Sequence, residues 1–370
     1  MQAMSTPKSA PQHPRPWRTP SFISAGTFVN DVCKLATPAE VQAITKHSTV
    51  HKSFSMYYNQ YVAIKIIDKS SIPATLADKF LPRELDVTRM VNHPNIARCL
   101  SVVQPHPTKV VIISEFCEGG TLLNYVMQYG GLPEFEAARL FHQLVEAIHY
   151  LHTTLSVAHR DVKLENMLLD GHRNLKLVDF GFARQATPAT KSSSFCGTRP
   201  YSSPQLVDHI AYSPFAADWF ACGITLYTMI TGSWPHGPTQ KITFPISYPF
   251  GKVSISAREL IEALVVKDEK SRLDYKGIME SAWFMETLAN SLQSLATTVS
   301  PYGINDENID PVAAYHHHGG QKPAYARLEN HNQSYTRHES QNPTYTYATQ
   351  MTTMATAMEK SGPVYSEWCY

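Results

Sequence analysis

The chain has 370 residues and a formal net charge of +1 at pH 7, and only 17% of its residues are charged. This length is enough for one large two-lobed domain or for two ordinary domains. No Lys/Arg run is concentrated along the chain, so neither nucleic acid nor an acidic membrane surface is an expected partner. The six cysteines are scattered without a C-x-x-C pair, which predicts reduced intracellular thiols and argues against a disulfide framework or a zinc site.

Nothing in the sequence predicts membrane insertion. The N-terminal stretch STPKSAPQHPRPWRTP has no apolar signal core. The most apolar helical candidate, residues 219–230, is too short to span a bilayer and is typical of a buried core helix. We therefore expect a soluble, intracellular protein that has no membrane partner. We expect it in the cytoplasm, with a nuclear location left open, and as a monomer.

Composition divides the chain into three parts. Residues 1–20 carry five prolines and no hydrophobic period, which predicts disorder. Residues 21–287 have the patterns of a globular domain. A polar tail follows at 288–370, with a weak ten-residue repeat that spaces four tyrosines equally: Tyr315, Tyr325, Tyr335 and Tyr345. Such a repeat cannot bury enough apolar surface to fold alone, so we expect a disordered tail that is either a solvated linker or a docking site for partners.

Within the globular part, strand patterns come first and helical patterns follow. β-Branched and aromatic residues predict buried strands at 60–68 and 109–116, and apolar spacing predicts a helix between them at 76–91. The glycines of EGG at 118–120 interrupt the pattern, as a hinge does. Apolar residues then recur at helical spacing in three segments, 133–152, 219–230 and 257–266.

This order predicts an α+β fold with two lobes. A small β-rich N-lobe with one main helix spans 21–113, and a larger, mainly α C-lobe spans 121–287. The change from strand to helical patterns places a hinge between them at 114–120.

Lys65 is an ionisable residue inside a segment, VAIKII, that otherwise predicts a buried strand. One reading is a surface lysine whose ammonium reaches solvent. The other is a buried lysine, which needs a partner; Glu84, 19 residues later on the predicted helix, supplies one. A lysine held in this way can contact the α- and β-phosphates of a nucleotide.

The segment HRDVKLEN carries a second group of polar residues. Asp161 can accept a hydroxyl proton or orient the hydroxyl, and Lys163 can neutralise charge on a transferring phosphate. Asn166 can offer an oxygen to Mg²⁺, and Asp179 of DFG, thirteen residues later, a carboxylate to the same metal cluster. Each residue alone is also a common cap or turn former.

Taken together, these motifs resemble the protein-kinase signature set: VAIK, the helix Glu, HRDxKxxN, DFG and DWFACG occur in that order. The segments VAIKIIDKSSIPATLADKFLPREL, NLKLVDFGFAR and SSSFCGTRPYSSPQ resemble the testis-specific serine kinase family. The resemblance covers about residues 21–287. It implies a bilobal kinase fold, ATP and Mg²⁺ as cofactors, protein substrates with Ser or Thr acceptors, and a role in male germ cells.

The resemblance also implies roles for residues around the catalytic segment, by which we mean HRDVKLEN at residues 159–166. Lys163 and Thr198 resemble the pair that braces the catalytic aspartate in Ser/Thr kinases. Arg160 resembles the arginine that waits for an activation-loop phosphate, and Ser194 aligns with the usual phosphosite. The alternative is that the serines of TKSSSFCGT form only a flexible polar loop.

Further residues are implied to line the nucleotide pocket. Ser114 holds the gatekeeper position, and adenine would bond backbone groups of Glu115 and Cys117. Ala63, two residues before the strand lysine, would line the same pocket.

The glycine loop is the main departure from the family. The expected Gly-x-Gly-x-x-Gly-x-Val lets backbone N–H groups approach phosphates without obstruction by Cβ. Aligning Gly26 with the second glycine places Ser24 and Val29 at the first and third, and Val32 arrives one residue late. About twenty residues more than usual then separate Val32 from the VAIK strand, which predicts an atypical insertion at about 34–58. Two explanations stay open: a genuine surface insertion, and an error in how the chain was assembled from its gene.

A smaller departure is Gln205, which stands where a glutamate normally pairs with an arginine, here Arg272. Glutamine keeps a hydrogen bond but loses the charge. Two functions therefore stay open: an ATP-dependent protein serine/threonine kinase weakened by its glycine loop, and a pseudokinase scaffold whose tail tyrosines dock partners. The complete Lys/Glu/Asp/Asn/Asp set favours the catalyst.

Overall fold

The structure, a computed structural model, describes residues 40–45, 47–237 and 241–287. The predicted disordered ends and the glycine-loop candidates lie outside these residues, among them Ser24, Gly26 and Val32. The described residues divide into two units. The first comprises those up to Ala77 together with Cys99–Phe116, and the second comprises Asp78–Arg98 and those from Cys117 onward.

The first unit is a five-stranded antiparallel sheet. Its strands are β1 (Glu40–Ile44), β2 (Ser48–Ser55), β3 (Gln60–Asp68), β4 (Cys99–His106) and β5 (Lys109–Glu115), in the order β1-β2-β3-β5-β4. The predicted strands at 60–68 and 109–116 are thus present as β3 and β5. Val62, Ile64, Val111 and Ile113 share one face and form its buried core, because successive side chains of a strand point to opposite faces.

The described part of the predicted insertion at 34–58 forms strands of the sheet. Residues 40–44 and 48–55 are the first two strands of the sheet, and β2 pairs with β3 along its whole length, from Ser48 opposite Ile67 to Ser55 opposite Gln60. The segment STVHKSFS has few apolar residues, and its strand is stabilised instead by backbone hydrogen bonds to β3.

The second unit is mainly helical. Its helices are α1 (Ala74–Met90, which begins in the first unit), α2 (Leu122–Tyr129), α3 (Glu134–Thr153), α4 (Pro204–Val207), α5 (Pro214–Thr231), α6 (Ile255–Leu264) and α7 (Tyr275–Met279). Two short antiparallel sheets pair β6 (Val157–Ala158) with β9 (Arg184–Gln185), which is distant in sequence, and β7 (Met167–Leu169) with β8 (Leu175–Leu177). The predicted helices at 76–91, 133–152 and 257–266 correspond to α1, α3 and α6.

Helix α1 is divided between the two units, which the sequence did not predict. It was expected to belong wholly to the N-lobe, but residues 78–98 belong to the second unit. Val87 on the helix, and Val91 and Ile96 in the segment after its end at Met90, are buried in the large core of that unit, so apolar contacts hold the end of the helix and the following segment there.

Helix α5 is the centre of the second unit. Ser213 caps it by accepting a hydrogen bond from the backbone N–H of Ala216, and Gly232, with φ 71°, ends it in a left-handed conformation. Every residue from Ala217 to Thr231 is buried, which confirms the predicted core helix at 219–230. No helix in the described ranges is both long and apolar enough to cross a membrane.

Candidate active site

A buried carboxylate on α5 fixes the backbone of the catalytic segment. Asp218, 1% exposed, accepts hydrogen bonds from the backbone N–H groups of His159 (2.8 Å) and Arg160 (2.7 Å). The His152 ring nitrogen Nε2 lies 2.8 Å from the same carboxylate. Arg160 has a φ of 65°, a conformation that non-glycine residues rarely adopt without support. The contacts to Asp218 supply that support and turn the chain toward the next residue, Asp161.

The Asp161 carboxylate is held at both oxygens. Oδ1 accepts a hydrogen bond from Thr198 Oγ1 (2.7 Å), and Oδ2 accepts from Lys163 Nζ (2.7 Å) and Asn166 Nδ2 (3.0 Å). Lys163 Nζ also donates to Thr198 Oγ1 (2.7 Å). The structure therefore brings together Asp161, Lys163, Asn166 and Thr198, which sequence reasoning had grouped. Their mutual bonds fix the orientation of a carboxylate that is only 6% exposed.

Lys163 is charged in this setting. Burial lowers its pKa, but the carboxylates of Asp161, Glu165 and Asp179 outweigh that effect and raise the pKa overall. The ammonium group thus carries a positive charge beside two of the carboxylates proposed to act in the site.

Asn166 and Asp179 supply oxygen atoms next to this group. The Asn166 amide nitrogen donates to the backbone oxygen of Asp161 (2.9 Å) as well as to its carboxylate, which leaves Oδ1 as the oxygen donor. The backbone N–H of Val178 donates to the backbone oxygen of Asn166 (2.9 Å), so the segment before Asp179 is joined to the catalytic segment. Amide and carboxylate oxygens are the ligands that Mg²⁺ prefers. The donor set fits this metal.

Arg160 reaches the loop that carries the predicted phosphosite. Its Nε donates to the backbone oxygen of Phe182 (2.8 Å), and its Nη1 to the backbone oxygen of Ser194 (3.4 Å). The hydroxyl of Tyr212 donates to the same Ser194 oxygen (2.9 Å). The predicted neighbourhood of Arg160 and Ser194 is present, although the contact is made to the main chain and not to the Ser194 hydroxyl.

Sequence reasoning missed two residues that organise this region. Asp218 carries the backbone of the catalytic segment, and Arg184 on β9 donates to Ser192 Oγ (3.0 Å) within the same loop. The signal for Asp218 was an aspartate in an otherwise apolar helix, because a buried carboxylate needs donors. Arg184 had no comparable signal.

The predicted nucleotide-binding residues are divided between the two units. In the first unit, Ala63 and Lys65 lie on β3, on the face of the sheet opposite to Ile64. Lys65 pairs with Ile112 of β5, and Glu115 ends that strand. Adenine contacts at Glu115 stay a prediction.

In the second unit, Glu84 lies on α1 and is 9% exposed, and Cys117 is buried. The pairing of Lys65 with Glu84 and the adenine contact at Cys117 stay predictions. The candidate glycine-loop residues lie outside the described residues, whereas the hairpin that precedes the Lys65 strand is described except at Lys46, and its sequence contains no glycine.

Comparison with known proteins gives a consistent result. Residues 46–284 match the protein kinase domain family. The chain is similar to testis-specific serine/threonine-protein kinase 3 of Homo sapiens and of Mus musculus, 35% identical over 253 residues, which is 65% of this chain and 92% of each relative. It is also similar to testis-specific serine/threonine-protein kinase 1 of Mus musculus, 33% identical over 250 residues, which is 64% of this chain and 68% of the relative.

Proposed function

The chain belongs to the protein kinase domain family, and from this premise we propose that it transfers the γ-phosphate of ATP to serine or threonine hydroxyls of protein substrates. The names of its relatives support this acceptor specificity. The observation that carries the proposal is the Asp161 carboxylate, held at one oxygen by Thr198 and at the other by Lys163 and Asn166.

In this proposal Asp161 orients the acceptor hydroxyl and takes up its proton. Thr198 and Lys163 keep the carboxylate in a single orientation, and the charged Lys163 offsets negative charge on the transferring group. Because phosphoryl transfer depends mainly on positioning and charge stabilisation, a fixed carboxylate with an ammonium beside it is the arrangement that the reaction needs.

Asn166 Oδ1 and the Asp179 carboxylate would hold Mg²⁺, which when bound neutralises charge on the phosphates. Lys65 is proposed to contact the α- and β-phosphates, and Glu115 and Cys117 to bond adenine through their backbones. These assignments are supported by the order of the family motifs.

The test is phosphate transfer from Mg-ATP to a generic basic protein, with protein from a host that lacks other kinases. Asp161→Asn keeps the shape of the side chain but cannot accept a proton, so the rate should fall about 10³-fold. The matched control is Asp208→Asn, an exposed carboxylate of the same unit that pairs with Lys241 and should leave the rate unchanged. Equal rates for the native chain and Asp161→Asn would contradict the proposal.

We further propose that phosphorylation of Ser194 regulates the activity. Arg160 already contacts the main chain of Ser194, and Arg184 contacts the same loop, so a phosphate there would have two guanidinium groups nearby. Ser194→Ala should lower the activity, and mass spectrometry of the native chain should find the phosphate. Full activity of the variant with an unmodified loop would contradict this regulation.

A role in male germ cells is proposed from the names of the relatives. A cytoplasmic location, monomeric state and partner docking by the tail tyrosines are proposals from the sequence. Immunostaining of testis sections would test the germ-cell role and the cytoplasmic location, and the mass of the purified chain in solution would test the monomeric state. Deletion of the tail before a partner-capture experiment would test docking by the tail tyrosines.

A second function, a kinase-like scaffold, is favoured by one observation: the hairpin before the Lys65 strand has no glycine. A scaffold would give a folded native chain with no phosphate transfer above that of Asp161→Asn. The transfer experiment therefore distinguishes the two functions.

A further inference from the structure

We infer that the hairpin in the place of the phosphate-holding loop is closed on itself by Thr45, so that the chain binds ATP without a backbone cradle for the phosphates. The inference rests on the proposed function only in taking ATP as the ligand. It concerns the first unit alone.

The strand register locates this hairpin. β2 pairs with β3 without a slip, which sets Val50 opposite Lys65, and β1 pairs with β2 from Glu40 opposite Lys52 to Ile44 opposite Thr49. In protein kinases the glycine-rich loop precedes the strand that carries the lysine and ends in G-x-V. With Val50 as that valine, the signature falls on AITKHSTV, residues 43–50.

On this register all three glycines are replaced, by Ala43, Thr45 and Ser48. Each replacement adds a Cβ where the signature has none, and glycine is used there so that the backbone can approach a phosphate closely. This placement differs from the sequence-based one at Ser24 and Gly26, which lies outside the described residues.

The backbone N–H groups that the structure describes in this turn donate their hydrogen bonds to acceptors within the turn. The backbone N–H of Thr45 donates to the backbone oxygen of Ser48 (2.8 Å). Thr45 Oγ1 accepts from the backbone N–H groups of His47 (3.3 Å) and Ser48 (3.0 Å). A phosphate would need these N–H groups as donors, but in this turn they are already bonded to a side-chain oxygen.

The turn is also tied to the end of β3. The backbone N–H of Asp68 donates to the backbone oxygen of His47 (2.9 Å), and His47 Nδ1 lies 2.9 Å from Ser71 Oγ. Turning the amides outward would therefore break contacts on both sides of the hairpin. The described residues of this turn do not fit a phosphate group.

Nucleotide binding must then depend on contacts other than this turn. Lys65 is the basic residue that sequence reasoning assigned to the phosphates, and it lies on β3 beside Ala63. We expect the phosphates to add less to the affinity than they would with a glycine loop. The ratio of ATP affinity to adenosine affinity measures that contribution.

The experiment is calorimetric titration of the full chain with Mg-ATP and with adenosine, for the native sequence and for Thr45→Gly combined with Ser48→Gly. Hydrogen bonds to a charged group gained at two amides should raise ATP affinity about tenfold or more, with adenosine affinity unchanged. Thr49→Ala is the matched control, because the Thr49 hydroxyl contacts His51 and no turn amide; it should leave both affinities unchanged.

Hydrogen exchange gives a second readout that needs no ligand. The amides of His47 and Ser48 should be protected in the native chain, unaffected by Mg-ATP, and exchange faster in Thr45→Ala. Protection that increases when Mg-ATP binds to the native chain would overturn the inference.

The outcomes separate this inference from the proposed function. Unchanged ATP affinity in the double glycine variant, with phosphate transfer intact, would overturn the inference and leave the function standing. A gain in ATP affinity together with absent phosphate transfer in every variant would support the inference and overturn the function.

Discussion

The catalytic segment around Asp161 and the hairpin at residues 43–50 use their hydrogen bonds differently. In the catalytic segment, side chains distant in sequence hold the chain: Asp218 holds its backbone and Thr198 its carboxylate. In the hairpin, one side chain, Thr45, takes up amides two and three residues away. In the catalytic segment the hydrogen bonds orient the Asp161 side chain, whereas in the hairpin they occupy backbone N–H groups that a ligand would otherwise need.

This difference indicates which parts of the family machinery the chain keeps. The catalytic segment is tied to a helix that is buried from Ala217 to Thr231, so its geometry is coupled to the core. The hairpin is at the edge of the sheet, where β1 is exposed along its length, and its glycines can be replaced while the strands still pair. Catalytic geometry is therefore retained where the core enforces it.

The largest effect is expected for a variant of Asp218, the buried carboxylate that accepts hydrogen bonds from the backbone of the catalytic segment. Asp218→Asn replaces an acceptor of three hydrogen bonds by an amide whose NH₂ faces donors. Leaving buried donors unpaired should lower the free energy of unfolding by about 3 kcal/mol and abolish phosphate transfer. Urea denaturation followed by circular dichroism measures the first effect.

The control for that variant is Asp208→Asn, at an exposed carboxylate. Its unfolding free energy should stay within about 0.5 kcal/mol of the native value. An Asp218→Asn variant as stable as this control would break the comparison, because the catalytic segment would then not depend on the core.

The next largest effect is expected at Thr198, whose hydroxyl donates a hydrogen bond to the Asp161 carboxylate. Thr198→Val removes the hydroxyl that bonds both Asp161 and Lys163 while it keeps the side-chain shape. Loss of one hydrogen bond to a charged group should lower kcat about 10- to 100-fold. Steady-state kinetics with saturating ATP provide the measurement.

Thr198→Ser is the conservative partner of that variant. It restores the hydroxyl and should recover most of the lost rate. Equal rates for the serine and valine variants would show that the hydroxyl does not position Asp161.

The two regions also differ in how far sequence alone predicted them. Apolar periodicity located β3, β5 and the long helices, because burial determines those patterns. It missed β1 and β2, whose pairing rests on backbone hydrogen bonds and not on an apolar face. The glycine-loop assignment at Ser24, Gly26 and Val32 lies outside the described residues and stays a prediction, and the inferred placement at 43–50 depends on the register of these two strands.

Within the second unit, the motifs correctly grouped four residues whose side chains contact one another: Asp161, Lys163, Asn166 and Thr198. It gave no role to Asp218, although DWFACG was noted as a motif, because a single aspartate does not reveal which backbone groups it accepts from. The pairing of Gln205 with Arg272 was predicted and is present at 2.8 Å. The three backbone oxygens that Arg272 also contacts, at Ala216, Val266 and Lys267, could not be predicted from sequence.

A smaller effect is expected at the Gln205–Arg272 pair. The hydrogen bond between the two side chains is present, but glutamine carries no negative charge to pair with the guanidinium group. Burial lowers the pKa of Arg272 to about 10. A base whose pKa is lowered by folding destabilises the native state below that pKa, and the cost is relieved only as pH rises through about 10 toward its unfolded value. Gln205→Glu would gain a charge-assisted bond to Arg272, worth about 1.5–3 kcal/mol, and lose the neutral bond that Gln205 Nε2 donates to the Lys267 backbone oxygen (2.6 Å), worth about 1 kcal/mol. The free energy of unfolding at pH 7.5 should therefore rise by about 1 kcal/mol.

Gln205→Ala serves as the opposite control, because it removes the acceptor and should destabilise the chain by about 1 kcal/mol. Thermal or urea unfolding of both variants tests the sign. A Gln205→Glu chain less stable than the native one would contradict the electrostatic account of this site.

The smallest expected effect is on the stability of the hairpin. Thr45→Ala removes local hydrogen bonds at a partly exposed edge, so the free energy of unfolding should fall by less than about 1 kcal/mol. Urea denaturation beside Thr49→Ala measures the difference. A loss as large as that of Asp218→Asn would mean that the hairpin, too, is coupled to the core.

The central claim is that this chain keeps the catalytic apparatus and has lost the phosphate cradle. The most direct test is phosphate transfer measured against ATP concentration for the native chain and for Thr45→Gly combined with Ser48→Gly. Restored amides that bind ground state and transition state alike should lower KM for ATP about tenfold and leave kcat within about twofold. A rise in kcat with unchanged KM would contradict the claim, because the native catalytic segment would then be incomplete without the glycine loop.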